Sequence, residues 1–163
     1  MNDNNLNFSD LVKQDFVLGN LQASTREEAL MLMAEFLVDK GKCEPTFVDA
    51  ILKREQLHPS GLPMPGPKIA IPHTDAEHVR QSIILFARLP EPVEFLSMGS
   101  PDDKLEVRMI SMFALKEKKR IGDMLETLIN VYQNEEILNK ILDACDSEEI
   151  FQTLKDAVKQ YGK

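Results

Sequence analysis

Apolar and polar residues change period several times along this chain, and each change marks an element. The first dozen residues are polar, opening Met1-Asn2-Asp3-Asn4-Asn5-Leu6-Asn7, and predict a frayed leader. Phe16-Val17-Leu18 reads as a short strand. Ser24-Thr25-Arg26-Glu27 has the form of a capping box, in which a hydroxyl and a carboxylate satisfy each other's backbone donors. It would open a helix with Leu30, Met33, Ala34 and Leu37 on one face, closed by Gly41. Pro45 sits where a first helical turn tolerates it, and the next helix runs towards Gln56. From Pro59 to Pro67, prolines and glycines follow one another so densely that no regular element is expected.

Beyond that loop the period shortens. Lys68 to Pro72 and Gln81 to Ala87 read as strands, and Val93 to Leu96 as a short one before the turn Gly99-Ser100-Pro101-Asp102-Asp103. Val107 to Leu115 is apolar almost throughout, as expected of a central strand covered on both faces. Lys116 to Arg120 then switches to charge. Ile121, Met124, Leu125, Leu128 and Tyr132 follow at helical spacing and predict a core-facing stripe. Two further helices are expected at Glu135–Ala144 and Glu148–Gln160, the second capped by Asp146 or Ser147. Helices and strands mix without strict alternation, so the expected fold is a single-domain, three-layer α/β/α sandwich around a mixed sheet, spanning residues 1–163 with 1–12 as the frayed leader.

Composition narrows the class. A 43% hydrophobic content in 163 residues is enough for a real core. No apolar run approaches the ~20 residues that span a bilayer, so no membrane insertion is expected. The first residues lack the basic and apolar regions of a secretory signal. Cys43 and Cys145 are isolated thiols without metal-ligand spacing, which suits a reducing cytoplasm. A net charge of −8 argues against nonspecific nucleic-acid binding. It equally suits mere solubility or a partner met through local charge complementarity. The eight methionines are scattered over helices and strands and read as adaptable core filler, with Met64 free to face a partner.

The chemistry concentrates in Ile69-Ala70-Ile71-Pro72-His73-Thr74-Asp75. A β-prone run stops at a proline and delivers a histidine to its end, exposing one imidazole nitrogen on a rigid platform. Neutral imidazole is a competent nucleophile near neutral pH. The plainer reading is a strand-end histidine bonded to the backbone. Upstream, Ala50-Ile51-Leu52-Lys53-Arg54-Glu55-Gln56 ends near His58-Pro59-Ser60-Gly61.

This order of a helix with Arg-Glu, a Ser-Gly turn and then Ile-Ala-Ile-Pro-His resembles the enzyme IIA domains of the fructose/mannitol family of the sugar phosphotransferase system. The resemblance runs from about Asp15 to Gln160. Pro59-Ser60-Gly61 and His73-Thr74-Asp75-Ala76-Glu77-His78 look most like the galactitol-type branch. The resemblance implies that His73 accepts a phosphoryl group from the phosphocarrier HPr and passes it to a cysteine of a cognate enzyme IIB. That transfer would power uptake through a membrane enzyme IIC, and neither step needs a cofactor. Arg54 would hold phosphoryl oxygens with its planar fork, since it keeps its charge at all relevant pH. A surface pairing with Glu55 or Asp49 is its plainer role. Many relatives carry a second histidine after the long central strand, whereas this chain has none between Lys116 and Ile121. His78 is the first substitute, as phosphate donor or ring orienter, and His58 the second; either would otherwise be a solvated loop residue. Ser60 could add a hydroxyl or backbone donor, and Asp75 would either orient an imidazole or repel a dianion.

Other classes find less support. Residues five apart on a helix diverge by about 140°, so His73 and His78 do not make the pair that H-x-x-x-H makes, and no metal is expected. Gly61 to Lys68 is too proline-rich to cradle a phosphate with backbone N–H groups. Lys116 to Arg120 could be a docking patch or a solvated helix entry. A regulatory relative, whose phosphorylated His73 controls other proteins, is the main alternative. A three-histidine hydrolase and an interaction module with a decayed site stand behind it.

Overall fold

The computed structural model describes residues 6–162. Its five-stranded mixed sheet comprises β1 (Val12–Leu18), β2 (Gly61–Leu62), β3 (Lys68–Ala70), β4 (Ile83–Ser97) and β5 (Ser100–Ala114). The helices are α1 (Arg26–Asp39), α2 (Phe47–Leu57), α3 (Ile121–Tyr132), α4 (Glu135–Asp143) and α5 (Ser147–Tyr161). β4 runs parallel to β1 and antiparallel to β5, while β3 lies parallel to β5. β5 is therefore the central strand that the apolar run at Val107–Leu115 requires. Alternation along β4 sends Ile84 and Phe86 to one face and Ile83, Leu85 and Ala87 to the other. The first set packs with α3, α4 and α5, the second with α1 and α2. Helices thus cover both faces, and the three layers follow from this two-sided burial.

Several local expectations change. Phe8–Leu11 forms a 3-10 turn with Phe8 and Leu11 buried, so this part of the expected frayed leader is packed; positions 1–5 lie outside the described residues. The cap of α1 is Thr25, one residue later than the capping box predicts, and its hydroxyl accepts from the Glu28 N–H at 3.1 Å. The strands expected at 81–87 and 93–96 are one continuous β4. Pro90 and Pro92 look like breakers, but they sit exposed in a bulge between Arg88 and Val93, where the ladder makes no demand on their missing N–H groups.

The expected turn at 99–103 shrinks to Met98-Gly99, with Gly99 in the left-handed region at φ +80°, and β5 starts at Ser100. The proline-rich loop also holds an element after all. Gly61–Leu62 pairs antiparallel with β3, and Gly61 meets Ser97 at the hairpin tip. The Met98 N–H donates to the Gly61 carbonyl at 2.7 Å. A Cβ on Gly61 would lie 2.6 Å from the Leu96 carbonyl oxygen, so only glycine lets the tip come this close.

Candidate phosphoryl-transfer site

His73 sits just past β3, where Pro72 ends the ladder. The segment is still pinned on both sides. The Ile71 N–H donates to the Ser60 carbonyl at 3.0 Å, and the Phe113 N–H donates to the Pro72 carbonyl at 3.2 Å. The imidazole stacks on Phe113 of β5, with centroids 4.7 Å apart and planes 14° from parallel. His73 Nδ1 lies 3.2 Å from the Ile71 carbonyl oxygen. A carbonyl only accepts, so Nδ1 carries the hydrogen, and Nε2 keeps its lone pair. Burial pushes the His73 pKa below the ordinary histidine value of 6.5; the Ile71 bond opposes this, nearby Arg54 adds to it, and Asp75 opposes it. The ring is thus neutral and nucleophilic at pH 7. The two readings of the motif merge: the backbone bond exists, and it is what presents the other nitrogen.

A cavity of about 360 Å³ opens beside the ring, lined by His73, Arg54, His58, Ser60, Met98 and Leu125 among others. Three elements build it: the end of α2, the tip of the β4–β5 hairpin, and α3. On α2, Phe47, Ile51 and Glu55 recur at helical spacing on the buried face. Arg54, one position away and so about 100° round the helix, is half-buried at the cavity edge. Its guanidinium makes no ion pair with Glu55 or Asp49 among the described residues, and it is within electrostatic reach of His73. The helix stops where the His58 N–H donates to the Arg54 carbonyl at 2.7 Å. His58 is exposed on the cavity wall.

Ser60 differs from its expected role. Its N–H and its hydroxyl both donate to Glu55 Oε1, at 3.1 and 2.9 Å. Both donors are therefore engaged inside the protein, although Ser60 also lines the cavity. His78 differs too. It lines a neighbouring groove with Arg54, His58, Thr74 and Asp75, and it is absent from the wall of the His73 cavity. Its Nδ1 is 2.8 Å from the Thr46 hydroxyl, and its carbonyl accepts the Glu44 N–H at 2.8 Å. The short 3-10 turn Ala76–His78 swings the ring towards the start of α2, so the five-residue spacing does not set a second imidazole against the first. Asp75 acts on His73 through charge; its carbonyl accepts the His78 N–H.

Among the described residues, no three His, Cys, Asp or Glu side chains converge where they could hold a metal ion, and no helix is long and apolar enough to cross a membrane. Met64 is half-buried against the core. In the basic run, Arg120 donates to the Leu6 carbonyl and lies over the Phe8 ring, so it fastens the N-terminal segment. Sequence reasoning missed Met98, Gly99, Pro101 and Leu125 in the cavity wall. It gave Glu55 only as part of a motif and as a surface partner of Arg54.

The mixed α/β/α sandwich is the fold of enzyme IIA components of the sugar phosphotransferase system. The structure of the complex of the mannitol enzyme IIA with phosphorylated enzyme IIB from Escherichia coli matches with a TM-score of 0.72 and 28% identity, covering 87% of this chain and 95% of that one. Residues 10–157 match the family described as "Phosphoenolpyruvate-dependent sugar phosphotransferase system, EIIA 2", and the chain belongs to it. The mannitol-specific EIICBA component of Escherichia coli is 30% identical over 155 residues, 93% of this chain. The chain spans only 23% of that relative's length. A stand-alone relative, the mannitol-specific phosphotransferase enzyme IIA component of Staphylococcus aureus, is 26% identical, covering 91% of this chain and 98% of its own. These three relatives are mannitol proteins; none carries the galactitol name that the Pro59-Ser60-Gly61 and His73–His78 patterns suggest.

Proposed function

We propose that the protein is a cytoplasmic phosphoryl carrier of a sugar phosphotransferase system, with His73 as the covalent relay. The observation that carries this reading is the pairing of a neutral His73, its Nδ1–H committed to the Ile71 carbonyl, with an uncommitted Arg54 on one small cavity. Nε2 attacks the phosphorus of phospho-HPr. A P–N bond forms here as the donor's P–N bond breaks, and the donor nitrogen takes that electron pair. In the second step a cysteine thiolate of an enzyme IIB attacks the same phosphorus, and the pair returns to Nε2. Arg54 neutralises the equatorial oxygens in both directions, so catalysis is positioning and electrostatics. His58 can contribute a further donor from the cavity wall. His78 stands by the neighbouring groove, which it shares with Arg54.

No sugar touches an enzyme IIA, so the cargo is read from likeness alone. We assign a sugar alcohol carried by a cognate membrane enzyme IIC, with the sequence patterns favouring galactitol and the relatives favouring mannitol. The test follows label from phosphoenolpyruvate through enzyme I and HPr to this protein, then to purified enzyme IIB proteins of both specificities. Label should pass rapidly to one of them, and His73→Ala should accept none. A charged protein that hands label to neither would contradict the transport role and favour the regulatory one.

A further inference from the structure

Glu55 is the only charged side chain among the buried residues described, 6% exposed at the end of α2. Leucine there would extend the Phe47–Ile51 face at no electrostatic cost, whereas a buried carboxylate is expensive. No ion pair compensates it among the described residues. Burial accordingly raises its pKa, against the two Ser60 bonds and the more distant charge of Arg26. What the carboxylate receives is Ser60, by N–H and hydroxyl at once.

The contacts continue from there. The Ser60 carbonyl accepts the Ile71 N–H at 3.0 Å, and the Ile71 carbonyl accepts His73 Nδ1–H at 3.2 Å. Each link enters a residue on one side of its Cα and leaves on the other, so the chain transmits position rather than electronic polarisation. We propose that Glu55 is a positioning residue for His73, fixing through Ser60 and Ile71 the imidazole tautomer that keeps Nε2 bare. The proposal rests on His73 as the phosphoryl acceptor. It accounts for a costly carboxylate next to Arg54, and for Ser60's donors facing inwards rather than towards the anion.

The test compares Glu55→Gln, Ser60→Ala and Ser60→Thr with wild type. Ring-¹⁵N NMR of the unphosphorylated protein reads the His73 tautomer, and steady-state uptake from phospho-HPr reads kcat and KM. Wild type and Ser60→Thr should show the Nδ1–H form. Glu55→Gln keeps the shape but replaces charge-assisted bonds with weaker ones. It should raise the Nε2–H population severalfold and lower kcat about tenfold with KM little changed. Ser60→Ala should shift both readouts in the same direction by less. It decides the matter if Glu55→Gln loses its folded amide spectrum. Wild-type tautomer and uptake within twofold of wild type in both variants would overturn the proposal. The tautomer readout needs no phosphoryl transfer. A wild type that accepts no phosphoryl group would therefore sink the carrier reading while leaving the Glu55 relay separately measured.

Discussion

At the scale of single residues, His73 is set by three neighbours: Phe113 under the ring, Ile71 on Nδ1, and Arg54 across the cavity. Burial is the largest cause of its lowered pKa, so the folded protein binds the imidazole proton less readily than the unfolded chain does. The stability this contributes is complete above the unfolded value near 6.5 and is lost as pH falls through the lower folded value. Phosphoryl uptake should therefore stay level below pH 6.5 and decline only when the buried ring protonates. Arg54→Ala removes a charge that disfavours imidazolium, so an NMR titration should show the His73 pKa rising while remaining below the ordinary value. Uptake should fall about 10²–10³-fold, as when a preorganised donor is lost. A fall in pKa, or unchanged uptake, would remove Arg54 from the site. His73 and Arg54 were legible in the sequence because strand, proline and helix end constrain where those side chains go. Glu55 was not, because nothing in a linear pattern tells a carboxylate that caps a turn from one that faces water.

At the scale of elements, helices were read better than strands. The stripe at Met124, Leu128 and Tyr132 and the cap at Asp146 follow directly from spacing and chemistry, since both are local. The hairpin was misread because its decisive features are non-local: a bulge that tolerates Pro90 and Pro92, and a tip that bends back onto β2. That bend carries Met98, Gly99 and Pro101 to the cavity, which is why sequence reasoning left them out. Gly61 makes the bend sterically possible. Gly61→Ala should destabilise the fold by about 1–3 kcal/mol in urea unfolding, the cost of overpacking against a backbone oxygen. It should also slow uptake, because one wall of the cavity moves. Gly122→Ala is the control: nothing lies within 4 Å of its added methyl, and stability should hold or rise. Equal effects from the two substitutions would contradict the close approach at Gly61.

For the whole molecule, the layers divide the work. The sheet and α2 fix the histidine, the arginine and the buried carboxylate, while α3 and the hairpin tip form the opposite wall with Leu125, Met98 and Pro101. Fold class was readable from the sequence because two-sided burial of β5 demands cover on both faces. The placement of His78 was not legible from its five-residue spacing, because a 3-10 turn brings that ring to Thr46 and to a groove shared with Arg54. The imidazole proposed as the relay is half-buried and held at Nδ1 by the Ile71 carbonyl. The most direct test is to charge the protein with phosphoenolpyruvate, enzyme I and HPr and locate the group by intact mass and ring-¹⁵N NMR. One acid-labile phosphoryl group on Nε2 of His73, with Nδ1 still protonated, is the predicted result. A phosphoryl group on another side chain, or none while HPr is charged, would contradict it.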